Sequence, residues 1–589
     1  MDSPSYLYTM KWLSSALLFA FPALLLAHPE PTNYPKNYFQ TPIDAPLLLA
    51  GNFGELRPNH FHAGIDITTQ GKEGIAVFAA AEGYVSRIRI SPFGYGKAIY
   101  VTHPNGYTTV YGHLRNFNKD IGMYAERNQY EVELFEIDIT VAPGALPVKK
   151  GEIIARSGNT GGSGGPHLHF EIRDTKTEDA INPLLFGLPV VDKVAPTIVR
   201  VAIIPLDINS YVNGKSQKKY ITLKQLKGVY VPASAADSMP TVSGRIGFAV
   251  DAYDKESTPH GKNGVYGIRL SINGNDVYAH RLERIPFEHS RYINCFIHYE
   301  TYINSGTYLQ CSYLPQNNLL PVYDTVVNSG SFQPQPLKTY KINYILTDAY
   351  GNKATAVFRV KGEKETGRGI IFTPPMIDII PWDSGAVFES LYWKIEFLPR
   401  SVYAFTELNT EYDNKNPAMP KITINDRTTA LHKPCTLSLE VKNTESLLAK
   451  AVICERSITK QKAVKYSALN TAMENGYAVA AIKNFGTYEV RYDTTAPVIR
   501  TSNFDLKGQK QTNLSALKAL QFTITDNLSG IKTYRATLNG KWVIADYDAK
   551  NNRLTIDLAK HTGTGKCALR LEVADKCGNQ SIYLKEFTL

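Results

Sequence analysis

The chain reads as an all-β protein, a β-sheet-core unit followed by β-sandwiches, and three observations carry that reading. Pro166-His167-Leu168-His169-Phe170-Glu171-Ile172 alternates polar and apolar side chains, the period of a half-buried strand. Beyond residue 190 the composition is uniformly rich in Tyr, Val, Thr and Ile, with Asn-Gly pairs and similar turn signals every ten or so residues. An internal repeat is also present. Ala195-Pro196-Thr197-Ile198 and Ala496-Pro497-Val498-Ile499 open two copies, and Gly267-Ile268 and Asn273-Gly274 match Gly530-Ile531 and Asn539-Gly540. Each copy closes on Asp-x-x-Gly-Asn, at Asp348 to Asn352 and at Asp575 to Asn579.

Taken in order, residues 12–27 form an apolar run behind Met10-Lys11, too short to span a hydrocarbon layer of about 30 Å and ending in a small residue. It is expected to be a secretory signal over 1–27 cleaved after Ala27, leaving no transmembrane segment and placing the mature chain in the periplasm or cell envelope, or outside the cell. A first unit is expected over 28–190, carrying an insertion at about 116–147. Three β-rich units follow: an Ig-like sandwich over 191–362 enlarged between about 275 and 340, a β-rich domain over 363–493, and an Ig-like sandwich over 494–589. Within the first insertion, the partial alternation of Tyr124 to Ile139 is expected to give a hairpin.

The formal charge of +10 over 589 residues is modest, favours contact with anionic wall or membrane material, and comes with no nucleic-acid motif. Six cysteines fall into positional pairs, Cys295/Cys311, Cys435/Cys454 and Cys567/Cys577. Export permits disulfides. A straight strand between Cys567 and Cys577 would hold that pair ~30 Å apart, beyond disulfide reach.

The chemistry lies in His62-Ala63-Gly64-Ile65-Asp66 and His167-Leu168-His169. Residues two apart on a strand project to one face, so both imidazoles of the second segment enter one cavity. Together the segments supply two imidazoles and a carboxylate, with a further imidazole beside them. A catalytic zinc site needs that inventory: three protein ligands, a position left for water, and a group to move protons. Fully extended, His62 and Asp66 would lie roughly 13 Å apart, so the segment must fold back, with Gly64 permitting it.

Competing motifs are weaker. His60 has no aspartate at the spacing His62 enjoys and reads as a rim residue. Gly161-Gly162-Ser163-Gly164-Gly165 satisfies G-x-S-x-G, but Pro166 and a strand follow where a nucleophile elbow needs a helix. The same run lacks the ending of a phosphate loop and reads as a cleft wall that a peptide backbone can approach. His103 in His103-Pro104-Asn105-Gly106 reads as hairpin-turn chemistry. No H-E-x-x-H occurs, which excludes a thermolysin-like helix site.

From about Asn52 to Pro183 the chain resembles the lysostaphin/LytM-type zinc metallopeptidases, peptidoglycan endopeptidases with a β-sheet core. The resemblance runs in family order: Phe53-Gly54-Glu55-Leu56-Arg57, His62 to Asp66, Gly74 to Val85, Gly94-Tyr95-Gly96, Tyr111-Gly112-His113-Leu114, Val148 to Glu152, then His167-Leu168-His169. It implies His62, Asp66 and His169 as ligands of one Zn2+ per chain, and His113 and His167 as the catalytic histidines. It implies peptidoglycan stem or crosslink peptides as substrate. Two alternatives stay open: a non-enzymatic regulator or scaffold of other wall hydrolases, and a secreted protease acting on proteins. The three β units read as spacers, with glycan or an envelope protein partner as the other use. Their Asp-x-x-Gly-Asn motifs suit calcium or, equally, a tight turn without metal.

Overall fold

The computed structural model describes residues 33–255, 261–364, 378–459, 461–504, 517–559 and 565–588, so the expected leader lies outside them. Among the described residues the regular structure is mostly strand, as the alternating patterns imply. Among the described residues no helix is long and apolar enough to cross a membrane.

The first unit is an antiparallel sheet formed by β1 (Leu49–Gly51), β2 (Ile65–Thr68), β3 (Gly83–Ile90), β4 (Lys97–Thr102), β5 (Tyr107–Phe117), β6 (Ile137–Thr140), β7 (Ile153–Ser157) and β8 (His167–Asp174). Its central order is β1-β2-β8-β5-β4-β3, with β6 against β3 and β7 against β5. Alternate residues Leu168, Phe170 and Ile172 of β8 join Ile65, Ile67 and Tyr111 in the core, which leaves His167, His169 and Glu171 on the opposite face. Register then decides who meets whom. His169 pairs with Asp66 across β2 and with Gly112 across β5.

The insertion differs from the expected hairpin. Lys119–Val132 is an α-helix, α1, and only Ile137–Thr140 is a strand. The Asn118 side chain accepts the Ile121 N–H at 3.0 Å as its N-cap, and Glu133 ends it in the left-handed conformation. Ile121, Ala125 and Gln129 are its buried positions, a spacing of four. That helical stripe outweighs the partial alternation of Tyr124 to Ile139, of which only the end enters the strand that follows.

Three further cores succeed the first, drawing on residues 198–360, 380–490 and 520–587. In the third unit two five-stranded sheets share one core, and in the last two four-stranded sheets do so. The repeated landmarks occupy equivalent places. Asn273-Gly274 and Asn539-Gly540, all at positive φ, turn hairpins between Gly267–Ile272 and Asn275–Arg281 and between Ile531–Leu538 and Lys541–Val543. The Asp-x-x-Gly-Asn segments link the closing strand pairs Thr339–Thr347/Lys353–Gly362 and Lys566–Asp575/Gln580–Thr588.

All six cysteines are free thiols, so the positional pairs are not disulfides. Cys567 lies at the start of strand Lys566–Asp575 and Cys577 beyond its end, which keeps them apart. The units are nevertheless joined. Arg284–Ile285, from the enlarged second unit, pairs with Ala180–Ile181 and extends the first sheet. A separate apolar cluster of Phe53, Phe61, Leu282, Tyr292, Phe296 and Tyr403 fills the junction of the first three units.

Candidate metal centre

His62 follows the short strand His60–Phe61, Asp66 lies in β2 and His169 in β8. His62 Nε2, His169 Nδ1 and Asp66 Oδ1 converge: 3.0 Å between the imidazoles, 3.1 Å from His62 to Asp66 and 2.9 Å from His169 to Asp66. Gly64 allows this by yielding space. A Cβ there would sit 2.3 Å from the Phe170 carbonyl oxygen, so the loop can lie against β8 only without one. Gly112 likewise faces the His169 ring from β5.

The outer nitrogen of each ring settles which inner one is bare. His62 Nδ1 donates to the Asn52 carbonyl at 2.8 Å, and His169 Nε2 donates to Glu171 Oε1 at 2.7 Å. Two imidazole lone pairs and a carboxylate oxygen therefore point at one another, an arrangement that repels unless a cation lies among them. Ligand atoms on a tetrahedron with bonds of about 2 Å are about 3.3 Å apart, so this donor set fits a zinc ion. The electrostatics agree. Burial opposes a charge on Asp66, but the imidazoles of His62, His167 and His169 hold its carboxyl well below the usual range. Burial also opposes a charge on His169, yet hydrogen bonds to Asp66 and Glu171 raise it to about 9, so Nδ1 carries a proton towards Asp66 whenever no metal ion takes that place. The cluster attracts positive charge.

Two supports escaped the sequence reading. Arg57 Nη2 donates to the other oxygen of Asp66 at 2.6 Å and to Glu55 at 3.2 Å, fixing the carboxylate. Glu171 is fully buried and receives His169, the Tyr95 hydroxyl at 2.5 Å and Arg173 Nε at 2.6 Å. Burial resists its charge, but Arg173 and then His169 bring it down to about 2. The alternation His167, His169, Glu171 on one strand face was a signal for this residue.

His113 and His167 stand beside the trio, their ring centroids 4.7 Å apart and His113 5.9 Å from His169. His113 sits at an irregularity of β5 with φ +58°, a conformation non-glycine residues seldom adopt and one that gathers at functional sites. Its Nδ1 donates to the Thr160 carbonyl, and His167 Nδ1 to the Gly165 carbonyl, both at 2.8 Å. Each thus keeps Nε2 free, and that of His167 lies 3.4 Å from Asp66 Oδ1. Burial, then the charges of His169 and His167, push His113 down to about 3, so it is neutral at physiological pH.

The other candidates lie elsewhere. His60 is on the rim with Nδ1 on the Pro58 carbonyl. His103 is buried in the β4–β5 turn, bonded to the Glu82 carbonyl and Thr109. Ser163 Oγ donates to the Gly165 carbonyl at 2.7 Å and is followed by β8, with no elbow. Among the described residues two further carboxylate groups occur, Asp192/Asp254/Asp348 and Asp493/Asp526/Asp575. Asp348 and Asp575 are engaged by the backbone and amide of Asn352 and Asn579 in their own turns.

Comparison with known proteins agrees with this geometry. Residues 60–130 and 135–183 match the model of peptidase family M23. Over these residues the chain resembles the M23 peptidases. Residues 378–493 match a Zu5-like domain. A Haemophilus influenzae protein described as an uncharacterized metalloprotease is 34% identical over 136 residues, 23% of this chain and 22% of that protein. The DD-carboxypeptidase/endopeptidase Mpg of Neisseria meningitidis is 31% identical over 176 residues, 30% of this chain and 32% of Mpg. The chain thus spans a third or less of these curated relatives. The catalytic domain of lysostaphin from Staphylococcus simulans is 25% identical, with 23% of this chain and 87% of that one covered at a TM-score of 0.17. For the M23 domain of EnpA from Enterococcus faecalis the values are 22%, 26%, 98% and 0.19.

Proposed function

We propose that the M23-like domain is a zinc-dependent endopeptidase of the bacterial envelope that hydrolyses peptide bonds in peptidoglycan stems or crosslinks. The observation that carries this reading is the convergence of bare His62 Nε2, His169 Nδ1 and Asp66 Oδ1, with two further imidazoles presenting Nε2 beside them. His62, Asp66 and His169 would hold the metal. When bound, zinc supplies Lewis-acid polarisation of the scissile carbonyl and a water acidified toward pKa ~7.

The rest of the chemistry belongs to the protein. With Nδ1 committed to a carbonyl, His113 and His167 can each take a proton only at Nε2, on the cleft side. A neutral imidazole there accepts the proton of the attacking water and returns it to the leaving amine. Glu171 holds His169 in the one tautomer that leaves Nδ1 free, and Arg57 fixes the carboxylate of Asp66. The glycines of 161–165 let an extended peptide approach the cleft wall. The substrate part of the proposal is supported by the similarity to the Neisseria DD-carboxypeptidase/endopeptidase Mpg.

The test pairs metal analysis with digestion. Purified mature protein should contain about one zinc per chain and release muropeptides from isolated sacculi, identified by mass spectrometry. Protein that holds no zinc and cannot be activated by it would leave only a regulatory or scaffolding role. Cleavage of proteins in preference to sacculi would favour a general secreted protease.

A further inference from the structure

The last β unit reaches the cleft wall. Lys550, in the turn Ala549–Asn551, donates its ammonium to the Asn159 carbonyl and, at 3.1 Å, to the Ser163 carbonyl. Those two carbonyls bracket Thr160 to Gly162 in the loop between β7 and β8. The same loop holds both free histidines, through the Thr160 carbonyl to His113 and the Gly165 carbonyl to His167. The loop is otherwise tied at Thr160, whose Oγ1 also accepts the Lys97 N–H at 3.0 Å, and at Gly161, which packs against the backbone of Gly94 and Gly96, and it is open only further on. Thr160 Oγ1 donates to the Leu114 carbonyl, the Gly162 N–H reaches the Gly94 carbonyl, and Gly164 and Gly165 have open space where side chains would be.

The docking of that unit is specific. Lys97 pairs with Asp546 at 2.7 Å, Arg535 with Glu133 at the end of α1, and Tyr130 of α1 sets its ring edge-on to Trp542 with centroids 5.2 Å apart. The insertion is therefore a bracket for a unit some four hundred residues further along the chain. A cation spanning two backbone carbonyls removes freedom from a glycine-rich segment that has much to lose.

We propose that Lys550 is a positioning residue for the peptidase reaction, pinning the glycine-rich loop so that His113 and His167 present Nε2 to the cleft. This rests on the peptidase reading above and extends it to a residue outside the M23-like domain. It makes the terminal unit part of the active site's scaffold in addition to any spacing role.

The test uses the full-length, zinc-loaded protein with Lys550→Met, which keeps the length and removes the donor, and Lys550→Arg, which keeps a donor. On a soluble stem-peptide substrate, K550M should lose roughly tenfold or more in kcat with KM held within about twofold, and K550R should recover most of it. Zinc content and thermal midpoint should match the wild type. Amide hydrogen exchange over 158–166, read without substrate, should be faster in K550M. Unchanged exchange overturns the proposal, as does an unchanged kcat or a loss of kcat that only tracks lost zinc or a lowered midpoint. A wild type that hydrolyses no peptide sinks the peptidase reading separately, while the exchange measurement still decides whether Lys550 pins the loop.

Discussion

On the floor of the cleft, Asp66 and His169 face each other from paired strands, and their far atoms are gripped by charged groups, Arg57 on the one and Glu171 on the other. On the wall, the outer nitrogens of His113 and His167 rest on carbonyls of a glycine-rich loop, that of His167 also near the Ser163 hydroxyl, and His113 itself sits in a strained backbone conformation. The floor concentrates negative charge and fixed geometry, which suits a metal ion. The wall supplies rings whose Nδ1 rests on a carbonyl and whose Nε2 faces the cleft, which suits proton transfer. One residue type, histidine, thus acquires two chemistries from where its inner nitrogen lies, since the outer nitrogen of His62 rests on a carbonyl as those of His113 and His167 do.

The comparison breaks most visibly at the floor. His62→Ala, Asp66→Ala and His169→Ala are expected to lose bound zinc and nearly all activity, read by metal analysis and peptide cleavage. On the wall, His113→Ala and His167→Ala should retain the metal and lose activity by roughly 10²-fold, the usual size of an acid–base contribution. Should H167A shed its zinc while H169A keeps it, the two histidines of β8 have been assigned the wrong way round.

Glu171→Gln sharpens the floor alone. It keeps the shape but lets His169 lose its fixed tautomer, so zinc affinity should fall by about 10- to 100-fold in a chelator competition. Wild-type affinity in this variant would show the buried carboxylate to be a core ion pair for Arg173 only.

The smallest effect separates these histidines from a structural one. Burial is the main cause that lowers His103 to about 4, whereas an unfolded histidine titrates near ~6.5. The unfolded chain then binds the proton first, so the contribution of His103 is complete above pH ~6.5 and is lost as the pH falls toward about 4. The urea midpoint should decline over that window, and His103→Gln should flatten part of the decline. A variant with the wild-type slope would mean that His103 is already charged in the fold.

Some of this was written in local sequence. The alternation of 166–172 gave the strand, the common face of His167 and His169, and, had it been followed two residues further, Glu171. The Asn-Gly pairs marked hairpins because only residues tolerant of positive φ fit such turns. The segment Tyr124 to Ile139 misled because its partial alternation was weighed over the stripe Ile121, Ala125, Gln129. The cysteine spacings left pairing open because position in sequence carries no information about Cβ geometry.

The sequence by itself determined the ligand types, their spacing within each segment, and the strands that carry them, since these depend on side-chain chemistry and a period of two. Only the tertiary structure decided that Asp66 stands opposite His169, that Gly64 yields space to the Phe170 carbonyl, and that Lys550 meets the loop after β7. Those are matters of register and docking. They arise from the summed packing of strands far apart in the chain, which no local pattern encodes.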